Sequence, residues 1–265
     1  VEVLSSSRSE ALTIDPTNRF LYATSAAAGR VTRLGIDGDD GRLQELASEP
    51  VGGRPIALAV AHATERFLFS HGGAVDSPGA TALRIGLADG SLSTVATQPL
   101  AGPPSVSVVE RSGRFLYVLR SSDREIDVFR LNLSTGEPTR IQTLAVGDEF
   151  GAVASLLAAE PTGRFLFMMC GCGQPTTPQI RTLRIDPSSG QLVDVGGSAA
   201  VNWGMAASVD LTGRFLFVAS GSTGISTYSI DPATGMVTLL STVTGNVPAG
   251  QLVMDRLGRF LYAVT

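Results

Sequence analysis

The sequence contains no lysine, and all 20 of its basic residues are arginine. This composition is typical of a GC-rich bacterial genome, and it excludes a lysine Schiff base or a lysine general base from the chemistry of the chain. Only two cysteines occur, Cys170 and Cys172, which are too few for a disulfide framework. With no further Cys or His nearby, this pair also lacks the ligands for a metal, so we expect no metal and no cofactor.

Charge is scarce as well. Charged residues make up 17% of the chain, the net charge is −4, and no basic stripe is present. This distribution argues against a nucleic-acid partner. No apolar run approaches the ~18–20 residues that a membrane-spanning helix needs, so we expect no membrane span.

The chain is instead dominated by a short motif, Arg-Phe-Leu followed by Tyr or Phe, that recurs six times at intervals of 45 to 50 residues. A period in this range predicts stacked units, each too small to bury its own apolar face. The motif begins at Arg19, Arg66, Arg114, Arg164, Arg214 and Arg259.

Each unit is predicted to contain four antiparallel strands. In the fifth unit, strands are expected over 206–209, 214–219, 225–230 and 237–243, where short apolar or alternating runs are separated by turn residues. Asp231-Pro-Ala-Thr-Gly235 is a turn in which Pro sets φ and Gly supplies a positive φ. Because no helix is evident, the predicted fold is an all-β propeller of four-stranded antiparallel blades, forming a single domain over 1–265.

Six repeats are visible, five of them complete. The sixth would be shared between the termini, with an N-terminal strand at Val1–Ser5 joining two C-terminal strands, and it would lack one strand. The alternative is a fragment of a longer chain, which would then have seven blades.

The motif Gly-Arg-Phe-Leu-Tyr-Val, together with the Ile-Asp-Pro-x-Thr-Gly turn, resembles the lactonase-type propellers, namely the YVTN-repeat and 6-phosphogluconolactonase-like proteins. The resemblance covers the whole chain and concerns residues that are structural. It implies a Pro-His-x-His segment before a first strand and an Asp-Leu-Gly segment after a second strand in the enzymes. Neither segment occurs in this sequence, so no catalytic residue is carried over from the family.

Recurring residues are expected to be structural, and departures from the repeat are better functional candidates. Five positions before the phenylalanine of each motif stands an acid or, once, a histidine; we expect these residues to cap the turn amides and to pair with the arginine. They are Asp15, His62, Glu110, Glu160, Asp210 and Asp255.

Ligands of propellers usually enter at the mouth of the channel, on the face with the loops before a first strand and after a second strand. We expect Arg54 and Trp203 in loops of the first kind, and His71, Asp76 and Arg120 in loops of the second kind. On that face, Arg54, His71 and Asp76 of one blade could bind an anion or perform acid/base catalysis, which makes His71, Arg54 and Asp76 the catalytic candidates. Arg54, His71, Arg120 and Trp203 are the ligand-binding candidates. The alternatives are solvated loop residues for the first group, a packing role for Trp203, and a surface ion-pair cluster for Arg120, Asp123 and Arg124.

Two functions remain open. The first is a non-catalytic binding or scaffold module that recognises a protein or a carbohydrate at the channel-mouth face, in an extracellular, periplasmic or cell-surface location rather than the cytoplasm. The second is a sugar-lactone hydrolase of the 6-phosphogluconolactonase-like type. Convergence of Arg54, His71 and Arg120 would favour catalysis.

Overall fold

The structure is a computed structural model, and it describes most of the chain. The described residues are 9–15, 17, 19–40, 42–51, 55–60, 66–72, 79–146, 153–171, 179–200, 204, 206–220, 224–245, 251–254, 258 and 260–264.

Five sheets of four strands and one of two strands make up the described part of the chain. The first sheet contains β1 (Ser9–Ile14), β2 (Phe20–Ser25), β3 (Arg30–Ile36) and β4 (Leu43–Pro50). The second contains β5 (Pro55–Val60), β6 (Phe67–Gly72), β7 (Gly79–Ile85) and β8 (Leu92–Pro99), and the third β9 (Val106–Val109), β10 (Phe115–Arg120), β11 (Glu125–Leu131) and β12 (Pro138–Ala145). The fourth contains β13 (Val153–Ala159), β14 (Phe165–Gly171), β15 (Gln179–Ile185) and β16 (Leu192–Ala200), the fifth β17 (Ala206–Val209), β18 (Phe215–Ser220), β19 (Gly224–Ile230) and β20 (Val237–Val243), and the last β21 (Gln251–Met254) and β22 (Leu261–Val264).

Within each sheet the strands follow one another in chain order and pair antiparallel. The first strands of successive sheets lie side by side, β1 with β5 and β17 with β21. These are the features of a multi-bladed β-propeller, and the predicted fold class is confirmed. The predicted strands of the fifth repeat agree with β17 to β20 to within one residue at each end. Val1–Ser5, the predicted N-terminal strand, lies outside the described residues.

The chain divides into two compact units, residues 1–120 with 129–141 and residues 121–128 with 142–265. Each unit has its own apolar core between neighbouring sheets. In the first unit, Phe67 and Phe69 of β6 pack with Leu116 and Val118 of β10. The expectation of a single domain over 1–265 stays a prediction.

In the four repeats where the described residues include it, the acid before the motif is a turn cap. The Asp15 carboxylate accepts hydrogen bonds from the backbone N–H groups of Arg19 and Phe20, both at 2.8 Å, and from Thr17 at 3.0 Å. Burial alone would raise the pKa of Asp15, but the bonds from Thr17, Phe20 and Arg19 outweigh it and hold that pKa below its usual value. Glu110, Glu160 and Asp210 cap their turns in the same way. The expected ion pair with the arginine occurs at Glu160, 4.0 Å from Arg164.

The motif phenylalanine explains why the motif and the glycine turns recur together. We call the third and fourth strands of a sheet, with the turn that joins them, its outer hairpin. Gly136, with φ 83°, sits in such a turn over Phe67 of the preceding sheet, where a Cβ would come within 2.3 Å of the ring. Gly90 covers Phe20, and Gly235 covers Phe165, in the same manner. Each of these contacts joins two neighbouring sheets, since the phenylalanine belongs to one sheet and the glycine to the next. A side chain at the glycine would prevent the contact.

Candidate functional site

His71 lies near the end of β6, in the middle of its sheet. It is opposite Ala57 on β5 and Ala80 on β7, and the pairing of β6 with β7 is regular over its whole length. Because side chains alternate along a strand, His71 shares its face with Phe67 and Phe69. The imidazole is buried, with 2% of the residue exposed.

Arg120 is the last residue of β10 in the next sheet, and it is also 2% exposed. By the same alternation it shares a face with Leu116 and Val118. These two residues pack with Phe67 and Phe69 in one apolar cluster. His71 and Arg120 therefore continue the same layer between the second and third sheets, at its end, which we call the polar layer end.

The corresponding layer of the other unit provides a comparison. Between β14 and β18, Phe165 and Phe167 pack with Leu216 and Val218. The positions equivalent to His71 and Arg120 are occupied by Met169, a member of the apolar cluster, and by Ser220. An imidazole and a guanidinium thus stand where the other unit has a thioether and a hydroxyl, which makes these two residues the functional candidates of the layer.

Neither ring nitrogen of His71 has a hydrogen-bond partner among the described residues. Buried polar groups in proteins are nearly always hydrogen-bonded, and a water molecule or a ligand could satisfy the two nitrogens of this ring. Burial lowers the pKa of His71 to about 4. The imidazole is therefore neutral at neutral pH, with one nitrogen that can accept a proton.

Arg120 is not an isolated charge, since it makes interactions of its own within the protein. The two other residues of its predicted cluster lie in the turn that follows β10: Asp123 is exposed, and Arg124 is half-buried with φ 56°. Of the three charged residues that the sequence groups as a surface ion-pair cluster, only Arg120 is fully buried.

The remaining sequence-based candidates lie outside the described residues. They are Arg54, Asp76 and Trp203; the turn residues His62 and Asp255 and the cysteine Cys172 also lie outside the described residues. The convergence of Arg54 with His71 and Arg120 therefore stays a prediction.

One buried carboxylate is absent from the sequence-based candidates. Asp127 on β11 is fully buried and accepts a hydrogen bond from the Thr143 hydroxyl at 2.6 Å. The same position holds a hydroxyl pair in other sheets, Thr32 with Ser48 and Thr81 with Thr97. The signal in the sequence is the spacing of 16 residues between the partners, which identifies Asp127 as a variant of a structural pair that joins the third and fourth strands.

The described part of the chain was searched for metal-binding groups and for membrane-spanning helices. It contains no group of three or more His, Cys, Asp or Glu residues that could hold a metal ion. It also contains no helix long and apolar enough to cross a membrane.

The polar layer end combines two chemical functions. A neutral imidazole can take a proton from a water molecule, and a guanidinium can stabilise negative charge that develops on an oxygen. Ester and lactone hydrolysis require both functions, because water must be activated while the carbonyl oxygen becomes negative.

Several solved structures are similar to this protein in fold. Similar folds occur in a protein from Lactobacillus plantarum (18% identity over 98% of this chain and 78% of that chain, TM-score 0.79) and in the periplasmic gluconolactonase of Pseudomonas aeruginosa (20% identity, 92% and 88%, TM-score 0.57). A Bacteroides uniformis protein provisionally assigned as a 6-phosphogluconolactonase is also similar (14% identity, 92% and 88%, TM-score 0.63). No family model and no curated protein matches the sequence.

The resemblance to lactonase-type propellers is thus confirmed at the level of the fold. At 14 to 20% identity, these similarities show the fold alone.

Proposed function

We propose that the protein hydrolyses a sugar lactone. The observation that supports this proposal is the burial of both His71 and Arg120. Side-chain alternation along β6 and β10 puts them on the faces whose residues Phe69 and Val118 share one apolar cluster. The corresponding positions in the other unit hold Met169 and Ser220. A fold shared with a named gluconolactonase supplies the substrate class.

The proposed reaction uses His71 as the general base. Its neutral imidazole accepts a proton from water as the water oxygen attacks the lactone carbonyl carbon. Arg120 stabilises the negative charge that develops on the carbonyl oxygen. The ring C–O bond then breaks, the leaving oxygen takes the proton from His71, and the product is the open-chain hydroxy acid.

Small residues pair with this end of β6. Ala57 and Ala80 flank His71 on the neighbouring strands, and the next residue, Gly72, pairs with Gly79. The periplasmic location of the gluconolactonase relative agrees with the extracytoplasmic location that we favour for this protein.

The test is the hydrolysis of glucono-1,5-lactone by the purified protein, followed in a pH-stat and corrected for the spontaneous reaction. His71→Met and Arg120→Ser introduce the residues that the repeat itself uses at Met169 and Ser220. Removal of a general base is expected to lower kcat by roughly 10²- to 10⁴-fold, and loss of the guanidinium by roughly 10²- to 10³-fold. Arg130→Ser, which removes an exposed arginine from β11, is the charge-matched control and should leave the rate unchanged.

Circular dichroism and the unfolding midpoint show whether each variant is folded, and Arg120→Lys keeps the charge should Arg120→Ser lose its structure. A wild-type rate equal to the spontaneous rate, for this lactone and its 6-phosphorylated form, would contradict the proposal. So would a folded His71→Met variant with full activity.

A further inference from the structure

Ser107 on β9 is a further polar residue in the layer between the second and third sheets. It pairs with Val118 on β10, and because residues directly opposite each other share a face, both point to the same side of the sheet. Val118 belongs to the apolar cluster that Phe69 of the second sheet also joins. Val109, two positions after Ser107 on the same strand, packs against this cluster. Ser107 therefore lines the layer that continues into the polar layer end.

A hydroxyl at this position is a departure from the repeat. In each of the other five sheets, the first-strand residue that pairs with the third residue after the motif phenylalanine is apolar. These residues are Leu12, Leu58, Leu157, Ala207 and Leu252. The strand pairing and the apolar packing of a sheet thus form without a hydroxyl here, which makes Ser107 a functional candidate in the same sense as His71.

The Ser107 hydroxyl and the His71 imidazole share a second property. The Oγ of Ser107 and both ring nitrogens of His71 are buried, and none of these three atoms has a hydrogen-bond partner among the described residues. The two side chains therefore do not bond directly to each other. Because a buried polar atom without a partner destabilises a fold, a small molecule that bonds to both side chains would stabilise this one.

Water is the molecule that matches these two groups. The neutral imidazole has one nitrogen that accepts a hydrogen bond, and the serine oxygen also accepts. A water molecule can donate to both at once, whereas an anion without a hydrogen has nothing to donate. Since the residue His71 is only 2% exposed, a bridging molecule has to be small. Buried waters in proteins typically bond to two or more polar groups in this way.

We propose that Ser107 Oγ and a ring nitrogen of His71 hold one water molecule between them, and that this is the water that attacks the lactone. The second half of this proposal rests on the proposed function. The water donates one hydrogen to the His71 nitrogen that then takes the proton, and its other hydrogen to Ser107 Oγ. Both lone pairs of the water oxygen are then free to approach the carbonyl carbon. Ser107 is thus a positioning residue, which orients the water and takes up no proton itself.

A high-resolution crystal structure of the wild-type protein tests the first half. We expect an ordered water at hydrogen-bond distance, about 2.6–3.2 Å, from both a His71 ring nitrogen and Ser107 Oγ. The same water should be lost or displaced in crystals of Ser107→Ala. A wild-type structure without this water, or with Ser107 Oγ bonded to a protein group, would overturn the proposal whether or not the protein hydrolyses a lactone.

Kinetics with glucono-1,5-lactone test the second half. Ser107→Ala introduces the residue that the repeat has at Ala207, and it removes one hydrogen bond from the water. We expect kcat to fall roughly five- to tenfold with KM unchanged, because Ser107 orients the water and does not bind the lactone. Ser107→Thr keeps the hydroxyl and should retain most of the activity. Ser208→Ala, a half-buried serine on the first strand of the fifth sheet, is the matched control and should leave kcat unchanged.

The His71→Met background separates positioning of the water from a general loss of structure. If Ser107 acts only through the water that His71 activates, adding Ser107→Ala to His71→Met should lower kcat no further. An equal loss in both backgrounds, or a raised KM with unchanged kcat in Ser107→Ala, would overturn the positioning role. A wild type that hydrolyses no lactone would contradict the proposed function, and the crystal structures would still decide whether the water site exists.

Discussion

At the scale of single residues, His71 departs from the repeat in a way that makes the stability of the protein depend on pH. The sequence predicts that it lies in the loop after a second strand, whereas the structure places it within β6, buried, with no partner for either ring nitrogen among the described residues. A buried neutral histidine ties the stability of the fold to pH, because the folded state resists its protonation.

The pH dependence follows from the lowered pKa of His71. Above pH 6.5 the ring is neutral in both the folded and the unfolded state, so it contributes no pH dependence. Between pH 6.5 and about 4, the unfolded state binds a proton that the folded state does not, and the free energy of unfolding falls as the pH falls. The full loss amounts to roughly 3 kcal/mol.

Urea denaturation of the wild type and of His71→Met at pH 7 and pH 4 isolates this effect. The stability of the wild type relative to the variant is expected to fall by most of those roughly 3 kcal/mol between the two pH values. An unchanged difference would show that His71 is solvated in the folded protein.

At the scale of structural elements, the acid-capped turn between the first and second strands is the most regular feature. In the fifth sheet, Asp210 accepts hydrogen bonds from the N–H groups of Arg214 and Phe215, both at 2.7 Å. Asp210→Ala removes the acceptor of these amides and should cost about 1–2 kcal/mol of unfolding free energy in urea denaturation. Asp39→Ala, in an exposed turn, is the control; an equal effect of the two changes would contradict the capping role.

The contact between a glycine turn and a phenylalanine can be tested separately from backbone strain. Gly136→Ala combines a positive φ with a collision against Phe67, whereas Gly196→Ala has a positive φ but no atom within 4 Å of its Cβ. Gly38→Ala has neither.

We expect the loss of unfolding free energy to increase in the order Gly38, Gly196, Gly136, with Gly196→Ala costing about 1 kcal/mol for the strain alone. A Gly136→Ala variant no less stable than Gly196→Ala would show that the turn does not press on the phenylalanine. Thermal or urea unfolding provides the comparison.

At the scale of the whole molecule, the sequence predicts the fold far better than the site. The repeat of Arg-Phe-Leu gives the blades, the strand boundaries and the turn caps, because all of these depend on local residues that recur. The pairing of Gly136 with Phe67 depends on contacts between sheets, which periodicity alone does not specify.

For the same reason, the sequence predicts only part of the candidate site. His71 and Arg120 are recognisable as unusual residues, but proximity in the sequence groups them with Asp76 and Asp123 and not with each other. Their shared layer follows from the side-chain alternation of β6 and β10 and from the packing of Phe69 on Val118, which requires coordinates.

The central claim is that His71 and Arg120 act as one site, and a double-mutant cycle on kcat/KM for glucono-1,5-lactone tests it most directly. If the two residues act together, His71→Met/Arg120→Ser should lose little more activity than the more damaging single variant, since each residue depends on the other in the transition state. Losses that multiply in the double variant, or single variants as active as the wild type, would contradict the claim.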